Sequence, residues 1–404
     1  MVAYLNTRGL LKEKKLFYTC PIAAILLISY FVIPTLGLQT PQTISSYGMI
    51  SYSFTPMVRP IHTDGQLIKD NLGNEVTFRG GHLCDSSGIW ATEPLVQRIK
   101  DYGLNALKVH VWMKDMMPTE GIINESYFAS ILDARIQWAK NLGLYFVIQL
   151  NMNPTQSYLI PSWLQYGVSA DQWRTDFWRK SSPQQNSQNY VIQVFRYMAS
   201  RYADEPHVVF SWFNDNYGGY QTPSEFGQNY KEFSEKCIDA IRLVENVNHL
   251  IIVDAGLIKG YGYIIENQPK VNRVNVAWAI RGYIWGSSDT SEWTSYDSNK
   301  KYYWEQLMQR AETYFKDTLN IPLIITEFGV PYPSDSSISP PSGWQQHFDD
   351  VFAWFATHKY HWFIWQMQNE PTHPSEFYWC LFYKDGSEKP TMTYTKQYLL
   401  QPTS

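Results

Sequence analysis

The sequence is poor in the residues that mark several common protein classes. Four cysteines, Cys20, Cys84, Cys237 and Cys380, are spread over 404 residues, with neither a Cys-x-x-Cys pair nor a Cys/His cluster among them. A structural zinc site is therefore not expected, and no residues with metal-ligand spacing or cofactor motif are present. Cys20 lies in an apolar N-terminal region, so the other three cysteines allow at most one disulfide. The sequence does not say which pair forms it.

Two further absences narrow the class of protein. The net charge is only −4, with both signs mixed along the chain, which argues against a nucleic-acid or polyanion partner. No Gly-rich phosphate loop follows the first predicted strand, and no internal repeat is present. Aromatic residues are abundant instead, at 16% of the chain with 16 Trp and 29 Tyr. Flat aromatic rings suit the faces of sugars, although a large core also uses them.

The N-terminal region has the pattern of an export signal. An apolar stretch, 16–38, follows a basic flank, which is typical of a segment inserted with its N-terminus inside. Its core, 22–33, is short enough for a cleavable signal peptide, whereas the whole stretch is long enough to span a bilayer as a helix. Both outcomes stay open, and the lack of an Ala-x-Ala cleavage site favours a retained anchor. The basic flank consists of Arg8, Lys12, Lys14 and Lys15.

The rest of the chain divides into a linker and an exported body. Residues 39–60 are rich in Ser, Thr, Pro and Tyr without a clear period, which is typical of a linker. We therefore predict a signal peptide or signal anchor at 1–38, a linker at 39–60 and a single domain at 61–404. We expect this domain to be extracellular or at the cell surface and monomeric, with membrane attachment through the N-terminal segment if that segment is retained.

The domain alternates between strand-like and helix-like segments. A hairpin is predicted from 64–68 to 76–80 around the turn residues 70–74, and Gly103 and Gly143 act as helix stops. Eight strands interleaved with helices indicate an α/β fold of the (β/α)8 TIM-barrel type. A doubly wound open sheet is the alternative, which the missing phosphate loop disfavours. The strands are predicted at 76–80, 106–111, 145–150, 208–213, 249–253, 274–279, 323–325 and 362–365.

Polar residues follow these strands, and in a barrel the residues just past each strand converge on one face. Asn214 and Asp215 follow the fourth strand, and Glu327 follows the very apolar seventh strand. Two facing carboxylates are what glycoside hydrolysis needs, one as proton donor and one as nucleophile or base. The simpler alternatives are an ordinary turn after the fourth strand and a buried carboxylate paired with an arginine. Other polar or aromatic residues at strand ends are His82, Asp85, Lys108, His110, Asn151, Asp254, Arg281, Tyr283 and Trp365.

These motifs resemble those of the family 5 (cellulase-like) glycoside hydrolases over roughly residues 61–404. The resemblance is carried by Thr326-Glu327-Phe328-Gly329, by Asn214 before an acid on strand four, and by Tyr283 on strand six. The segment 103–108 is similar to the family's Gly-x-Asn-x-x-Arg entry to strand two, and 205–209 to its approach to strand four. The resemblance implies retaining hydrolysis of β-linked glycans, with Glu327 as nucleophile. It also implies that Asn214 bonds the sugar 2-hydroxyl, that Tyr283 touches the nucleophile and that Trp365 stacks on a sugar.

Four polar positions depart from the family pattern. Asp215 stands where the family has a Glu acid/base, Lys108 where it has the strand-two Arg, Asn151 where it has the strand-three His, and Arg281 where it has the strand-six His. Asp is one methylene shorter than Glu, and misplacement of a catalytic group by about 1 Å can cost about a hundredfold in rate. A permanent cation at Arg281 would keep the nucleophile ionised, or would recognise an anionic sugar.

Three hypotheses follow. The first is a retaining glycosidase that acts on a β-linked oligo- or polysaccharide with Glu327 as nucleophile and Asp215 as acid/base. The second is a carbohydrate-binding pseudoenzyme with a degraded site, and the third is a glycosidase whose acid comes from Asp85, Asp254 or Glu370. The predicted substrate-binding residues are Asn214, Tyr283, Trp365, Arg281, Asn151, Lys108, His82 and His110.

Overall fold

The computed structural model describes the domain but not the N-terminal region. The predicted signal or anchor and nearly all of the predicted linker lie outside the described residues, so they stay predictions. Within the described part of the chain, no helix is both long and apolar enough to cross a membrane. The described residues are 58–83, 91–152, 160–214, 218–244, 248–258, 262–263, 265–283, 295–330, 332, 342–369 and 380–400.

Eight parallel strands close into a barrel, in the circular order β10-β11-β12-β3-β4-β5-β6-β7. The predicted (β/α)8 barrel is thereby confirmed, and the open doubly wound sheet is excluded. Two short antiparallel pairs, β1–β2 and β8–β9, lie outside the barrel. The strands in chain order are β1 (Ile61–Asp64), β2 (Leu67–Asp70), β3 (Arg79–Leu83), β4 (Ala106–Trp112), β5 (Tyr145–Asn151), β6 (Val208–Asn214), β7 (Ile251–Asp254), β8 (Leu257–Ile258), β9 (Gly262–Tyr263), β10 (Val276–Arg281), β11 (Leu323–Phe328) and β12 (His361–Ile364).

The helices surround this barrel, and their ends follow local sequence signals. Thr222 accepts a hydrogen bond from the Glu225 N–H at the start of α7, and Gly143 ends α4 in the left-handed region at φ 68°. The short α2 and the ten-residue α5 were not predicted from the sequence. The helices are α1 (Glu93–Asp101), α2 (Met113–Met116), α3 (Glu125–Tyr127), α4 (Asp133–Leu142), α5 (Ala170–Arg179), α6 (Ser187–Arg201), α7 (Pro223–Arg242), α8 (Ser298–Ala311), α9 (Trp344–His358) and α10 (Pro390–Leu399), with wider turns at Phe128–Leu132 and Glu312–Thr318 and tighter ones at Ser162–Leu164 and Ile265–Asn267.

The predicted hairpin around the turn residues 70–74 is present, although its pairing is short. Lys69 pairs antiparallel with Glu75, and the Val76 N–H donates to the Ile68 carbonyl. Asp70 holds the turn between them, because its carboxylate accepts the N–H groups of Leu72 and Asn74. A second hairpin, which was not predicted, precedes it: β1 pairs with β2, with Asp64 opposite Leu67, and the chain reverses at Gly65, whose φ of 58° suits glycine. The first barrel strand starts three residues later than predicted, at Arg79.

The barrel interior has an apolar lower layer. It consists of buried side chains from the barrel strands and from Phe78 just before β3, and Ile61 and Ile68 of the β1–β2 hairpin pack against it. A Cβ atom on Gly80 would lie 2.1 Å from the Phe363 ring, so only glycine fits beside that ring. The lower layer comprises Phe78, Val147, Val209, Ile252, Ala279, Ile324 and Phe363.

A polar upper layer lies above it, two residues further along the strands. Alternate residues of a strand share one face, so Gln149 stands on the same side of β5 as Val147, and Asp254 on the same side of β7 as Ile252. The upper layer, Lys108, Gln149, Ser211, Asp254 and Thr326, is at most 4% exposed. Buried polar groups need hydrogen-bond partners, and in this layer Gln149 donates to both Ser211 and Asp254.

A bulge in β11 turns two consecutive side chains towards the barrel axis. Ile280 pairs with Ile325, but the next residue, Arg281, pairs with Glu327, so Thr326 is an extra residue. In a regular strand Thr326 and Glu327 would point to opposite faces. β6 has a similar irregularity, since its register against β5 shifts just before Asn214. Both bulges therefore lie at the carboxyl ends of strands whose last residues were predicted to be catalytic or substrate-binding.

The structure excludes a disulfide between two of the three cysteines that lie outside the N-terminal region. Cys237 and Cys380 are both buried, and they form no disulfide with each other. Cys84 lies outside the described residues.

Candidate active site

Glu327 is a buried carboxylate held between two cations. It closes β11 and is 4% exposed. The Lys108 ammonium lies 3.0 Å from Oε1, and the Arg281 Nε lies 3.2 Å from Oε2. The Tyr283 hydroxyl donates to Oε2 over 3.4 Å. Each carboxylate oxygen thus faces one cation, which compensates the buried negative charge and fixes the direction of the side chain.

Lys108 is fully buried and reaches the site from β4. Its ammonium donates to the Thr326 carbonyl and to Glu327, both over 3.0 Å. Burial lowers the pKa of Lys108, while the negative charges of Glu327 and Asp254 act in the opposite direction. An ammonium is a compact donor, whereas the arginine of the family pattern is a planar fork, so Lys108 engages one oxygen of Glu327 rather than both.

Two imidazoles and an indole border the same carboxylate. The His82 and His110 rings meet edge to face with centroids 4.2 Å apart, and the Trp365 ring lies 4.3 Å from His82. His82 Nδ1 and His110 Nε2 are 3.8 and 3.7 Å from Glu327 Oε1, which is beyond hydrogen-bond length. Burial, followed by the positive charge of Lys108, lowers the pKa of both histidines well below its usual value. Both rings are therefore neutral.

This triad of His82, His110 and Glu327 brings donor atoms within 4.8 Å of one another, as a metal site would. The charges argue against one. The Lys108 ammonium already occupies Oε1 of the carboxylate, and Arg281 adds a second positive charge within 3.2 Å of it. A divalent cation would meet strong repulsion there, so the residues present do not suit a metal ion.

A hydrogen-bonded network lies directly beneath Glu327. Gln149 Nε2 donates to Asp254 Oδ2 over 2.7 Å and to Ser211 Oγ over 3.2 Å, while Gln149 Oε1 lies 2.9 Å from His110 Nε2. Sequence reasoning missed Gln149, Ser211 and Thr326 because it considered only the residues at strand ends. The available signal was a polar residue inside an otherwise apolar strand.

Asp254, one of the three alternative acids, belongs to this network rather than to the open cleft. It is 4% exposed, and its Oδ1 accepts a long 3.5 Å hydrogen bond from Thr326 Oγ1 while Oδ2 accepts from Gln149. A buried, hydrogen-bonded carboxylate below Glu327 is poorly placed to protonate a leaving group in the cleft. The other two alternative acids, Asp85 and Glu370, lie outside the described residues.

The remaining predicted residues are only partly brought together. Asn151 ends β5 and is buried, and its backbone pairs with that of Asn214. Tyr283 and Trp365 are 7% and 8% exposed, and both border Glu327 or its histidine neighbours. Asp215 and the side chain of Asn214 lie outside the described residues, so their roles stay predictions.

A closed parallel barrel whose polar residues gather at the carboxyl ends of its strands is the architecture of a (β/α)8-barrel enzyme. The model of the family "Cellulase (glycosyl hydrolase family 5)" matches residues 70–371, about three quarters of the chain. The chain therefore belongs to glycosyl hydrolase family 5, and the protein is a glycoside hydrolase. The resemblance found in the sequence is confirmed.

Solved structures with a similar fold include an endo-glycoceramidase, an endogalactoceramidase and Cel5A. The structure is similar to endo-glycoceramidase II from Rhodococcus sp. in its ganglioside GM3 complex, with a TM-score of 0.65, 15% identity and coverage of 82% of this chain and 81% of that one. For an endogalactoceramidase the values are 0.64, 17%, 84% and 84%, and for Thermotoga maritima Cel5A with cellobiose 0.57, 15%, 80% and 97%. At these identities the likeness shows the fold alone. A search of curated proteins gave no match.

Proposed function

We propose that the protein is a retaining glycoside hydrolase of β-linked oligo- or polysaccharides, with Glu327 as nucleophile and Asp215 as general acid/base. The observation that carries the proposal is the buried Glu327 carboxylate at the end of β11, with Lys108 and Arg281 on its two oxygens. Cations held against both of its oxygens keep the carboxylate pointing in one direction, which a nucleophile needs.

The reaction would take two displacements. In the first, Glu327 attacks the anomeric carbon while the leaving oxygen takes a proton from Asp215, which gives a covalent glycosyl ester. In the second, Asp215 accepts a proton from water as that water attacks the same carbon and releases Glu327. Asn214 would bond the 2-hydroxyl, and Trp365 would offer its indole to a sugar face.

The cations and aromatic groups around Glu327 would then support the substrate as well as the nucleophile. Arg281 is 11% exposed on its side chain, whereas Lys108 is fully buried. We infer that Arg281 is the cation able to meet a sugar substituent, while Lys108, His82 and His110 act on substrate only through Glu327 or Trp365. Hydrolysis should therefore be assayed on both anionic and neutral sugars, and on cellobiosides and glycolipids.

The stereochemical course of hydrolysis tests this mechanism. Proton NMR of the first anomer released from a β-glycoside should show the β-product, because two inversions retain configuration. Release of the α-anomer would show that the enzyme inverts the anomeric configuration and would contradict the double displacement. Glycan binding with no turnover would favour the carbohydrate-binding pseudoenzyme.

The role of Asp215 has its own test. In Asp215→Ala, hydrolysis of natural glycans should fall far more than hydrolysis of a dinitrophenyl glycoside, because that leaving group needs no proton. Asp101→Ala is the matched control, since Asp101 is exposed at the far end of α1. Equal losses on both substrates would show that Asp215 is not the acid, and Asp85 and Glu370 would then be the candidates to test.

We also propose that the domain is exported and acts outside the cell or on its surface. The support is the basic and apolar pattern of residues 1–38 in the sequence. Cell fractionation of a C-terminally tagged chain, with N-terminal sequencing of the product, separates a cleaved signal from a retained anchor. Recovery of the uncleaved chain in the cytosol would contradict both.

A further inference from the structure

We propose that Asp254 is a positioning residue for Glu327, acting through Gln149 and His110. The proposal rests on the proposed role of Glu327 as nucleophile and extends it to a second buried carboxylate that touches no substrate. Asp254 closes β7 in the upper layer, directly beneath the site.

The direction of the Gln149 amide is the first step. An ionised carboxylate only accepts hydrogen bonds, and Asp254 Oδ2 lies 2.7 Å from the Gln149 amide nitrogen. Turning that amide over would place its oxygen against Oδ2 at the same distance, where two acceptors repel. The Gln149 Oε1 atom therefore faces the opposite way, towards His110.

The tautomer of His110 follows from that direction. Gln149 Oε1 can only accept, so His110 must donate from Nε2 over the 2.9 Å between them. The His110 ring is neutral, because burial and Lys108 lower its pKa, so it carries one ring proton and that proton is on Nε2. The same nitrogen lies 3.7 Å from Glu327 Oε1. The ring nitrogen nearest Glu327 is thus a protonated one whose hydrogen is directed at Gln149, so no lone pair of that nitrogen faces the carboxylate.

The charge balance of the buried site gives a second, independent reason for a carboxylate at this position. Lys108 and Arg281 contribute two positive charges, and Glu327 contributes one negative charge. Asp254 contributes the second negative charge, and it acts against the effect of burial on the ammonium of Lys108. Buried charges are tolerated when they are balanced and hydrogen-bonded, so among the described side chains of the site a neutral residue here would leave one positive charge in excess.

The variant Asp254→Asn tests the proposal, because asparagine keeps the shape but can donate as well as accept. Gln149 is then free to turn, and His110 should lose its single Nε2–H tautomer in long-range ¹H–¹⁵N spectra of the imidazole. We expect kcat to fall by about tenfold to a hundredfold, with KM nearly unchanged because Asp254 touches no substrate.

Asp70→Asn is the matched control. Asp70 is likewise a buried carboxylate, 5% exposed, and it accepts the backbone N–H groups of Leu72 and Asn74 outside the barrel. Its loss should lower stability without changing the His110 tautomer or kcat. If Asp254→Asn does not fold, Gln149→Leu breaks the same path with the Asp254 carboxylate intact, and it should also abolish the single tautomer.

The outcomes separate this proposal from the proposed function. An unchanged Nε2–H tautomer in Asp254→Asn, or equal losses of kcat in Asp254→Asn and Asp70→Asn, overturns the positioning role even when Glu327 is shown to be the nucleophile. The tautomer is observed in the resting protein and needs no substrate. A covalent label on another carboxylate would instead overturn the nucleophile assignment, and the positioning role with it.

Discussion

The two layers inside the barrel have opposite chemistry although the same strands build them. The lower layer, around Phe363 and Val209, is apolar throughout, and the upper layer, around Lys108 and Asp254, is polar throughout. Two residues of chain separate them, which is one repeat of a β-strand. Burial of the lower layer stabilises the fold directly, since each large apolar side chain removed from water contributes about 1.5–3 kcal/mol.

The upper layer contributes to stability far less, because burying charges costs free energy that their pairing only partly returns. It instead lies directly beneath one carboxylate, Glu327, which Lys108 of this layer contacts at 3.0 Å and Arg281 at the end of β10 contacts at 3.2 Å. The difference indicates that the lower layer maintains the fold and the upper layer maintains the site. Substitutions in the two layers should therefore affect different measurements.

Glu327→Gln should give the largest effect on activity. Removing a nucleophile that acts together with its neighbours costs on the order of 10⁴-fold or more in kcat, while the isosteric amide keeps the packing. Initial rates on an activated glycoside measure the loss, with the exposed Glu93→Gln as control. Activity within about tenfold of the original protein would place the nucleophile elsewhere.

Phe363→Ala should give the largest effect on stability. The ring is fully buried against Phe78 and Gly80, and such truncations cost about 3–5 kcal/mol in the free energy of unfolding. Denaturant titration measures this, with the exposed Leu72→Ala as a control that should change little. At a temperature where both proteins are folded, kcat should change by less than about tenfold. If Phe363→Ala loses activity while its stability is unchanged, the lower layer also maintains the site, and the division of roles between the two layers is wrong.

Lys108→Arg should extend activity towards alkaline pH. Burial lowers the pKa of Lys108, so activity that requires the protonated ammonium is lost as pH rises through that value, below the usual 10.5. A guanidinium stays charged throughout this range. The pH dependence should be measured on a dinitrophenyl glycoside, which needs no acid catalyst, so that the alkaline loss of activity reports on Lys108. Lys384→Arg, at an exposed position, is the control. Coincident alkaline limbs in the two proteins would contradict a role for the Lys108 charge.

The smallest expected effect concerns acid stability. Burial, then Lys316, lowers the pKa of His361 to about 3, so the unfolded chain binds one more proton than the folded one between pH 6.5 and 3. The free energy of unfolding therefore decreases as the pH is lowered through this window, by up to about 1.4 kcal/mol per pH unit for each such histidine.

His361→Asn should reduce that slope, because asparagine does not titrate and its side-chain oxygen can still accept from the Phe78 N–H. His249→Asn should reduce it over a narrower range, since burial lowers the pKa of His249 to about 4. Denaturation midpoints measured between pH 7 and 4 give the slopes. A slope that neither substitution changes would mean that these rings protonate in the folded protein.

The sequence was sufficient for the barrel and for the position of Glu327 at the carboxyl end of a barrel strand. Strand-like and helix-like segments alternate with the periods of the two structures, and a carboxylate one residue after the apolar run 323–325 is conspicuous. The turn residues 70–74 also sufficed for the hairpin between Lys69 and Glu75. The preceding β1–β2 hairpin was not predicted, because its tight turn at Gly65 lies within a stretch that was assigned to a single strand.

The details that shape the site could not be derived from one strand at a time. The bulges before Glu327 and Asn214 depend on pairing with neighbouring strands. Gln149 and Asp254 meet only after the barrel closes, because they lie on different strands and 105 positions apart. The consequence of having lysine at position 108 also became clear only from its contacts, which reach one oxygen of Glu327 and the Thr326 carbonyl.

Covalent trapping of the glycosyl intermediate tests the central claim most directly. A 2-fluoro-β-glycoside with a good leaving group should inactivate the enzyme with one equivalent bound, and peptide mass spectrometry should place the sugar on Glu327. Attachment to another carboxylate, or hydrolysis of β-glycosides without any trapped ester, would contradict the assignment of Glu327 as nucleophile.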